Sequence, residues 1–117
     1  MHIDITDEVF RSRVAEEAFF APLWRSLEEL QPYCLQKEGQ DCGRNSVLGA
    51  SASSFLQLYE RLFARFPAEF IGLCLDTGHW EMIAPGSCSV VEQYGDRLIT
   101  THINDNFGVP RMIICCP

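Results

Sequence analysis

Two short stretches of the chain place side chains that can bind metal directly after apolar runs. Asp76 and His79 follow one apolar run, and His102 ends a second, with Asn104 and Asp105 close behind it. Carboxylate oxygens and imidazole nitrogens are ligands that catalytic divalent ions take. If both runs are neighbouring parallel strands, their carboxyl ends converge on one site. The pattern therefore predicts a divalent-metal enzyme with Asp76 and His102 as ligands and His79 beside them.

Each of these residues also has a simpler structural interpretation. Asp76 could cap the N-terminus of a following turn, a role that Asp favours. His102 could be a core histidine that is hydrogen-bonded to the backbone, and the Asn-Asp-Asn sequence at 104–106 is turn-forming. The place of Asp76 at a strand end, three residues before His79, favours the metal site.

Apolar periodicity predicts the helices that must position these side chains. Apolar residues recur at helical spacing over residues 7–37, with Thr6 as N-cap and with Pro22 and Pro32 as kinks or breaks. A second amphipathic helix is predicted over residues 53–66.

The apolar runs themselves are predicted strands. Residues 71–75 have the continuous apolar character of a buried parallel strand. A short helix over 89–94, closed by Gly95, leads to a second strand over 98–103. The alternation of helix and strand is typical of the α/β class. Residues 40–45 show no apolar alternation, so no strand is predicted there.

Three motifs resemble a known family. They are Gly-x-Cys-x-Asp-Thr-Gly-His at 72–79, Gly-Asp-Arg-Leu-Ile at 95–99 and His-Ile-Asn-Asp-Asn at 102–106. Together they resemble the sixth and seventh strands of xylose isomerase-like TIM barrels, which include sugar and sugar-phosphate isomerases and epimerases and endonuclease IV-type apurinic-site nucleases. Because such barrels need about 250 residues, the resemblance implies a single partial TIM (β/α)8 barrel over residues 1–117, about strands 5 to 7 with flanking helices.

The resemblance also implies a chemistry. In the isomerases and epimerases a divalent ion, Mn²⁺, Mg²⁺, Co²⁺ or Zn²⁺, chelates two neighbouring oxygens of a sugar or sugar phosphate and stabilises the enediolate formed on proton removal. By resemblance Asp76 and His102 are the metal ligands. His79 contacts the substrate in the sugar epimerases and a metal in the three-zinc nucleases, so the resemblance leaves its role open. Asn104 and Asp105 are expected to contact these ligands rather than the metal.

The same family uses two glutamates to move the proton and to bind the metal. Arg44 stands where the resemblance places the first glutamate, and the second would lie beyond Pro117. We therefore expect weak or absent metal binding and no turnover by this chain.

Two segments fit the family only in a shifted reading frame. Codons for residues 41–44 permit Ile-Ala-Val-Glu when read from the second base, and codons for residues 111–117 permit Asp-Asp-His-Leu-Leu-Pro when read from the third. Many family members carry Asp-x-His-Leu-x-Pro at the latter place. We infer a truncated fragment with a disrupted frame, and a natural divergent tail is the alternative.

Charge and composition argue against several classes. A net charge of −7 with nine scattered Lys and Arg residues disfavours nucleic-acid binding and therefore the nuclease alternative. No signal peptide and no apolar stretch of about 18 residues is visible, which predicts a cytoplasmic protein without a membrane partner. The six cysteines lack C-x-x-C spacing and are expected to be free thiols. A non-catalytic protein that keeps only the strands is the third alternative, and open sheet edges predict self-association.

Overall fold

Two long helices and three short parallel strands make up most of the structure. The computed structural model describes residues 3–37, 41–44 and 50–103. The elements run in the order α1 (Arg13–Gln36), β1 (Asp41–Arg44), α2 (Ala52–Arg65), β2 (Ile71–Asp76), α3 (Thr77–Ile83), α4 (Ser89–Tyr94) and β3 (Leu98–His102), with 3₁₀ turns at Asp7–Arg11 and Gly95–Arg97. The order is that of an α/β domain.

Helix α1 begins later than its periodicity predicts. Thr6 precedes the first 3₁₀ turn and makes no side-chain capping bond. Ser12 is the cap of α1, and its side chain accepts a hydrogen bond from the Ala15 amide at 3.1 Å. The predicted first helix is therefore two elements, because Ser12 supplies the acceptor that a helix N-terminus needs.

The two prolines of α1 were predicted to kink or break the helix, and neither breaks it. Pro22 and Pro32 both lie inside the continuous helix. Phe20 and Leu27, on either side of Pro22, are buried in the core. Tertiary packing of this kind supplies most of the stability of a helix in a protein, and it outweighs the hydrogen bond that each proline removes.

Helix α2 provides the main apolar face and agrees with its predicted bounds to one residue. Ser51 caps its start, accepting from the Ser54 amide at 3.3 Å. The helix ends at Arg65, two residues before Pro67, which disfavours helical geometry at the residue it follows. Its buried residues are Ser54, Phe55, Leu58, Tyr59, Leu62 and Phe63.

The three strands form one parallel sheet in the order β1-β2-β3. In this register Asp41 pairs with Ile71 and Asp76 pairs with His102, with an irregularity at Leu73/Cys74. Strand β1 was not predicted from the sequence. It forms because the β2 backbone supplies hydrogen-bonding partners, and such tertiary context overrides a weak intrinsic preference.

Alternate residues of β2 serve different purposes. Ile71, Leu73 and Leu75 share one face and belong to the hydrophobic core. Gly72 lies on the other face, where the side chain of Ile99 and the backbone of Arg97 leave no room for a Cβ atom. Strand β3 can therefore approach β2 closely at this point.

The prediction of a partial TIM barrel, strands 5 to 7, is wrong. The described residues form a small α/β domain with an open three-stranded sheet, and α1, α2 and β2 share one core with the N-terminal residues Ile3 and Ile5. Every residue of β3 is exposed, whereas strands of a closed barrel are buried on both faces. A short chain gains more by packing its helix faces into one core than by arranging strands for closure. Within the described residues, no helix is long and apolar enough to cross a membrane.

Candidate functional site

The Asp76 carboxylate is the centre of the candidate site. Asp76 is the last residue of β2 and is fully buried. Its Oδ1 accepts a hydrogen bond from the His79 backbone amide at 3.1 Å, which makes Asp76 the N-cap of α3. The simpler interpretation of Asp76 is thus confirmed. The capping bond occupies one oxygen and fixes the direction of the other.

The second oxygen of Asp76 faces both of the histidines that were predicted for the site, His79 and His102. His102 Nδ1 lies 2.9 Å from Asp76 Oδ2, and His79 Nδ1 lies 3.2 Å from the same atom. The register of the sheet brings Asp76 and His102 together, since these residues are partners at the ends of β2 and β3. The His102 side chain is 50% exposed and so is not a core histidine, whereas His79 is only 17% exposed.

The distances between these atoms suit a shared metal ion only in part. Neighbouring ligands on an octahedral ion with bonds of about 2.1 Å are roughly 3 Å apart, which is close to both Asp76-to-imidazole distances. Both rings, however, point a nitrogen at the same carboxylate oxygen. Among residues 3–37 and 50–103, no group of three or more His, Cys, Asp or Glu side chains is arranged to hold a metal ion. Asp76 and His102 therefore form a close pair, with His79 directed at the same oxygen.

Some predicted site residues cannot be placed beside this pair. Asn104 and Asp105 lie outside the described residues. For Arg44 the structure gives the strand backbone, paired with Cys74 of β2. The roles predicted for these residues stay predictions.

Arg97 is a positioning residue that the sequence reasoning missed. Its guanidinium donates to the carbonyl oxygens of Ile71 (3.2 Å), Phe63 (2.9 Å) and Phe66 (3.2 Å), and it lies over the Phe63 ring at 4.9 Å. These bonds tie the start of β3 to the end of α2 and to β2. Arg97 belongs to the Gly-Asp-Arg-Leu-Ile motif, but nothing in its spacing signals that the side chain turns inward.

Helix α3, which carries His79, is held by its own loop. Trp80 is buried, and its Nε1 donates to the Ser87 carbonyl at 2.9 Å. The Gly86 amide donates to Glu81 Oε2 at 3.0 Å. These bonds fix the loop after α3 to the helix, so they limit how far α3 can shift and carry His79 with it.

A cavity of about 580 Å³ lies elsewhere, between α1 and α2. Phe20, Trp24, Arg61 and Arg65 are among its lining residues. Arg61 pairs with Glu16 at 2.9 Å and Arg65 pairs with Glu28. These arginines pair with neighbouring glutamates and stack on the aromatic rings. The groove therefore belongs to the packing of α1 against α2, and none of its lining residues is one predicted for the metal site.

Comparison with known proteins gives one relative. No family model and no solved structure matches the chain. The chain is 47% identical over 108 residues to the uncharacterized protein y4fM of Sinorhizobium fredii (strain NBRC 101917 / NGR234). The match covers 92% of this chain and 34% of the relative, so the chain spans about a third of the relative's length. A match of this length includes Asp76, His79 and His102.

Proposed function

We propose that the chain carries part of a divalent-metal site for a small sugar or sugar phosphate, of the kind found in the metal-dependent isomerases and epimerases that it resembles. The observation that supports this most directly is the meeting of Asp76 and His102 at the ends of two paired strands, 2.9 Å apart. Metal ligands at neighbouring strand ends are the arrangement from which the site was inferred.

In this proposal each side chain has one task. Asp76 Oδ2 and the His102 ring are the metal ligands, and the capping bond through Oδ1 keeps the carboxylate pointed at the ring. His79 is placed to contact a substrate hydroxyl beside them. A bound divalent ion would polarise the sugar carbonyl and stabilise the negative charge that develops on proton removal.

The chain is proposed to bind without turnover. The resemblance calls for glutamates that transfer the proton, and Arg44 stands at the position of one of them. At about 4 Å and an effective dielectric near 20, two like charges repel by several kcal/mol, so an arginine there would weaken binding of a cation. We propose that this binding takes place in the cytoplasm. The net charge of −7 disfavours a nucleic-acid partner.

Calorimetric titration with Mn²⁺ and with Zn²⁺ tests the proposal. We expect weak one-to-one binding that is lost in Asp76→Ser and in His102→Ala. Serine keeps a capping oxygen at the start of α3 but is too short to reach His102, so this variant separates metal binding from folding. Asp96→Asn, a change at an exposed acidic residue away from the site, is the matched control and should bind as the parent does.

Three further outcomes decide between the alternatives. Arg44→Glu should tighten metal binding if Arg44 occupies the position of the missing ligand. Tight binding that survives Asp76→Ser would show that the ligands are wrong. Absence of any metal binding in the parent and in Arg44→Glu would make the non-catalytic alternative the better one.

A further inference from the structure

The groove between α1 and α2 has the size of a small-molecule site. Its volume is about 580 Å³, and sites for small ligands span about 300 to 1,000 Å³. The rings of Phe20 and Trp24 stack with their centroids 5.0 Å apart and form its apolar part. Ligand sites commonly combine such aromatic side chains with a few polar groups that fix orientation.

The charged side chains of the groove have a balance opposite to that of the chain. Arg13, Arg61 and Arg65 line the groove together with Glu16 and Glu17, so its lining has one more positive than negative side chain. The whole chain carries a net charge of −7. Three of its nine Lys and Arg residues thus surround one groove. A local excess of positive charge attracts anions.

Two of these arginines keep hydrogen-bonding capacity for a ligand. Arg61 Nη1 donates to Glu16 Oε2 at 2.9 Å, whereas Nε and Nη2 of Arg65 both donate to a single oxygen of Glu28. A guanidinium carries more N–H groups than these bonds use. Within the described residues, neither guanidinium has a further acceptor.

The aromatic rings hold both guanidiniums in place. Arg61 Cζ lies 4.9 Å from the centroid of the Phe20 ring, and Arg65 Cζ lies 5.4 Å from that of Trp24. Arg61 and Arg65 are four residues apart in α2, so they lie on the same side of the helix. Side chains that are already fixed lose less conformational entropy when a ligand binds.

We propose that this groove binds a phosphate monoester that has an apolar body. Arg61 and Arg65 contact the phosphate oxygens, and the rings of Phe20 and Trp24 contact the body. The ligand must compete with glutamates that each carry a single charge, and a phosphate monoester carries about −1.5 to −2 at neutral pH. Exposed ion pairs contribute little to stability, so a dianion that bridges two guanidiniums displaces the glutamates. The proposal does not depend on metal binding at Asp76.

Calorimetric titration of the full chain with phenyl phosphate, without added metal, tests the site. We expect one-to-one binding, about tenfold weaker binding of inorganic phosphate, and weaker binding of phenol. Arg61→Gln and Arg65→Gln should each raise the dissociation constant about tenfold or more, because each removes a charged donor. Arg11→Gln is the matched control. Arg11 is exposed, pairs with Glu8 and does not line the groove, so this variant should bind as the parent does.

Glu16→Gln separates ligand binding from misfolding because its expected effect is a gain. Glutamine has nearly the shape of glutamate but no charge, so it competes less for Arg61. The dissociation constant for phenyl phosphate should fall severalfold. Binding that is unchanged or weaker in Glu16→Gln would overturn the proposal.

Nuclear magnetic resonance shows whether binding takes place in the groove. Phenyl phosphate should shift the indole N–H signal of Trp24 and leave that of Trp80, which is not a lining residue, unchanged. Absence of binding in the parent, or equal binding of inorganic phosphate and phenyl phosphate, would overturn the proposal. So would binding that survives Arg61→Gln and Arg65→Gln, or that is lost in Arg11→Gln.

Discussion

Substitution of Gly72 by alanine tests how closely β2 and β3 approach. A Cβ atom at this position would lie 2.5 Å from Ile99 Cδ1 and 2.6 Å from the carbonyl oxygen of Arg97. Ordinary van der Waals contacts of a Cβ atom are about 1 Å longer, so the structure must move. We expect Gly72→Ala to lower the free energy of unfolding by about 1 to 3 kcal/mol, the usual cost of overpacking.

The two contacts of the added methyl group should respond differently to a second change. The Ile99 side chain ends in flexible atoms and is 40% exposed, so it can turn away or be shortened. The Arg97 oxygen belongs to the backbone, and the same residue is anchored by its guanidinium to three carbonyl groups. The double variant Gly72→Ala with Ile99→Ala should therefore recover only part of the lost stability.

Urea unfolding, followed by circular dichroism, provides the measurement, and Gly95→Ala is the matched control. Gly95 has helical dihedral angles, φ −61° and ψ −28°, and an added Cβ there meets only Val91 Cγ1 at 3.6 Å. That variant should be neutral or gain up to about 1 kcal/mol through the unfolded state. The reasoning is refuted if Gly72→Ala is as stable as Gly95→Ala, or if the double variant is fully restored.

Three further changes probe other contacts by the same unfolding assay. Tyr59→Phe should raise the free energy of unfolding by about 1 kcal/mol, because within the described residues the buried Tyr59 hydroxyl has no hydrogen-bond partner and burial raises the Tyr59 pKa. A clear loss of stability would show that the hydroxyl does have a partner. Arg97→Met should lose about 2 kcal/mol or more by leaving three carbonyls without their donor, and Arg97→Lys should restore little, because an ammonium lacks the guanidinium fork; full rescue by lysine would contradict this. Hydrogen bonds from the Ser54 hydroxyl and the Ser51 amide lower the Asp7 pKa from 3.8. The stability that these bonds contribute is present above that value and is lost as pH falls through the folded pKa of Asp7. The free energy of unfolding of the parent should therefore exceed that of Asp7→Asn by a constant amount near neutral pH and by less below about pH 4. A difference that persists in acid would contradict this reasoning.

Local patterns were enough to predict most elements of the fold. Helix α2 has strong apolar spacing and clear ends, and helix α4 was placed by the glycine that follows it. Both are found within a residue of their predicted bounds. Strand β1 could not be predicted, because Asp41–Arg44 has no apolar alternation and depends on the backbone of β2. The partial barrel was predicted from a resemblance, and short motifs at strand ends say nothing about how many strands surround them.

The candidate site shows the same division. Asp76 and His102 were expected to meet because ligands at the ends of neighbouring parallel strands converge, and they do. The inward turn of Arg97 was not foreseen, since it depends on carbonyl groups at the end of α2 that become available only when the helix has docked on the sheet.

The hydrogen bonds between the N-terminal region and α2 join residues that are far apart in the sequence, and this separation affects the order of folding. Asp7 reaches Ser51 and Ser54 across 44 and 47 residues of sequence, and Arg61 reaches Glu16 across 45. The turn from α2 into β2 is local by comparison, with Phe66 packed on Phe70. Because long loops cost more entropy to close than short ones, α2 and β2 should associate before α1 docks. Contacts of α1 should then affect mainly the rate of unfolding, and contacts at Phe66 and Phe70 mainly the rate of folding.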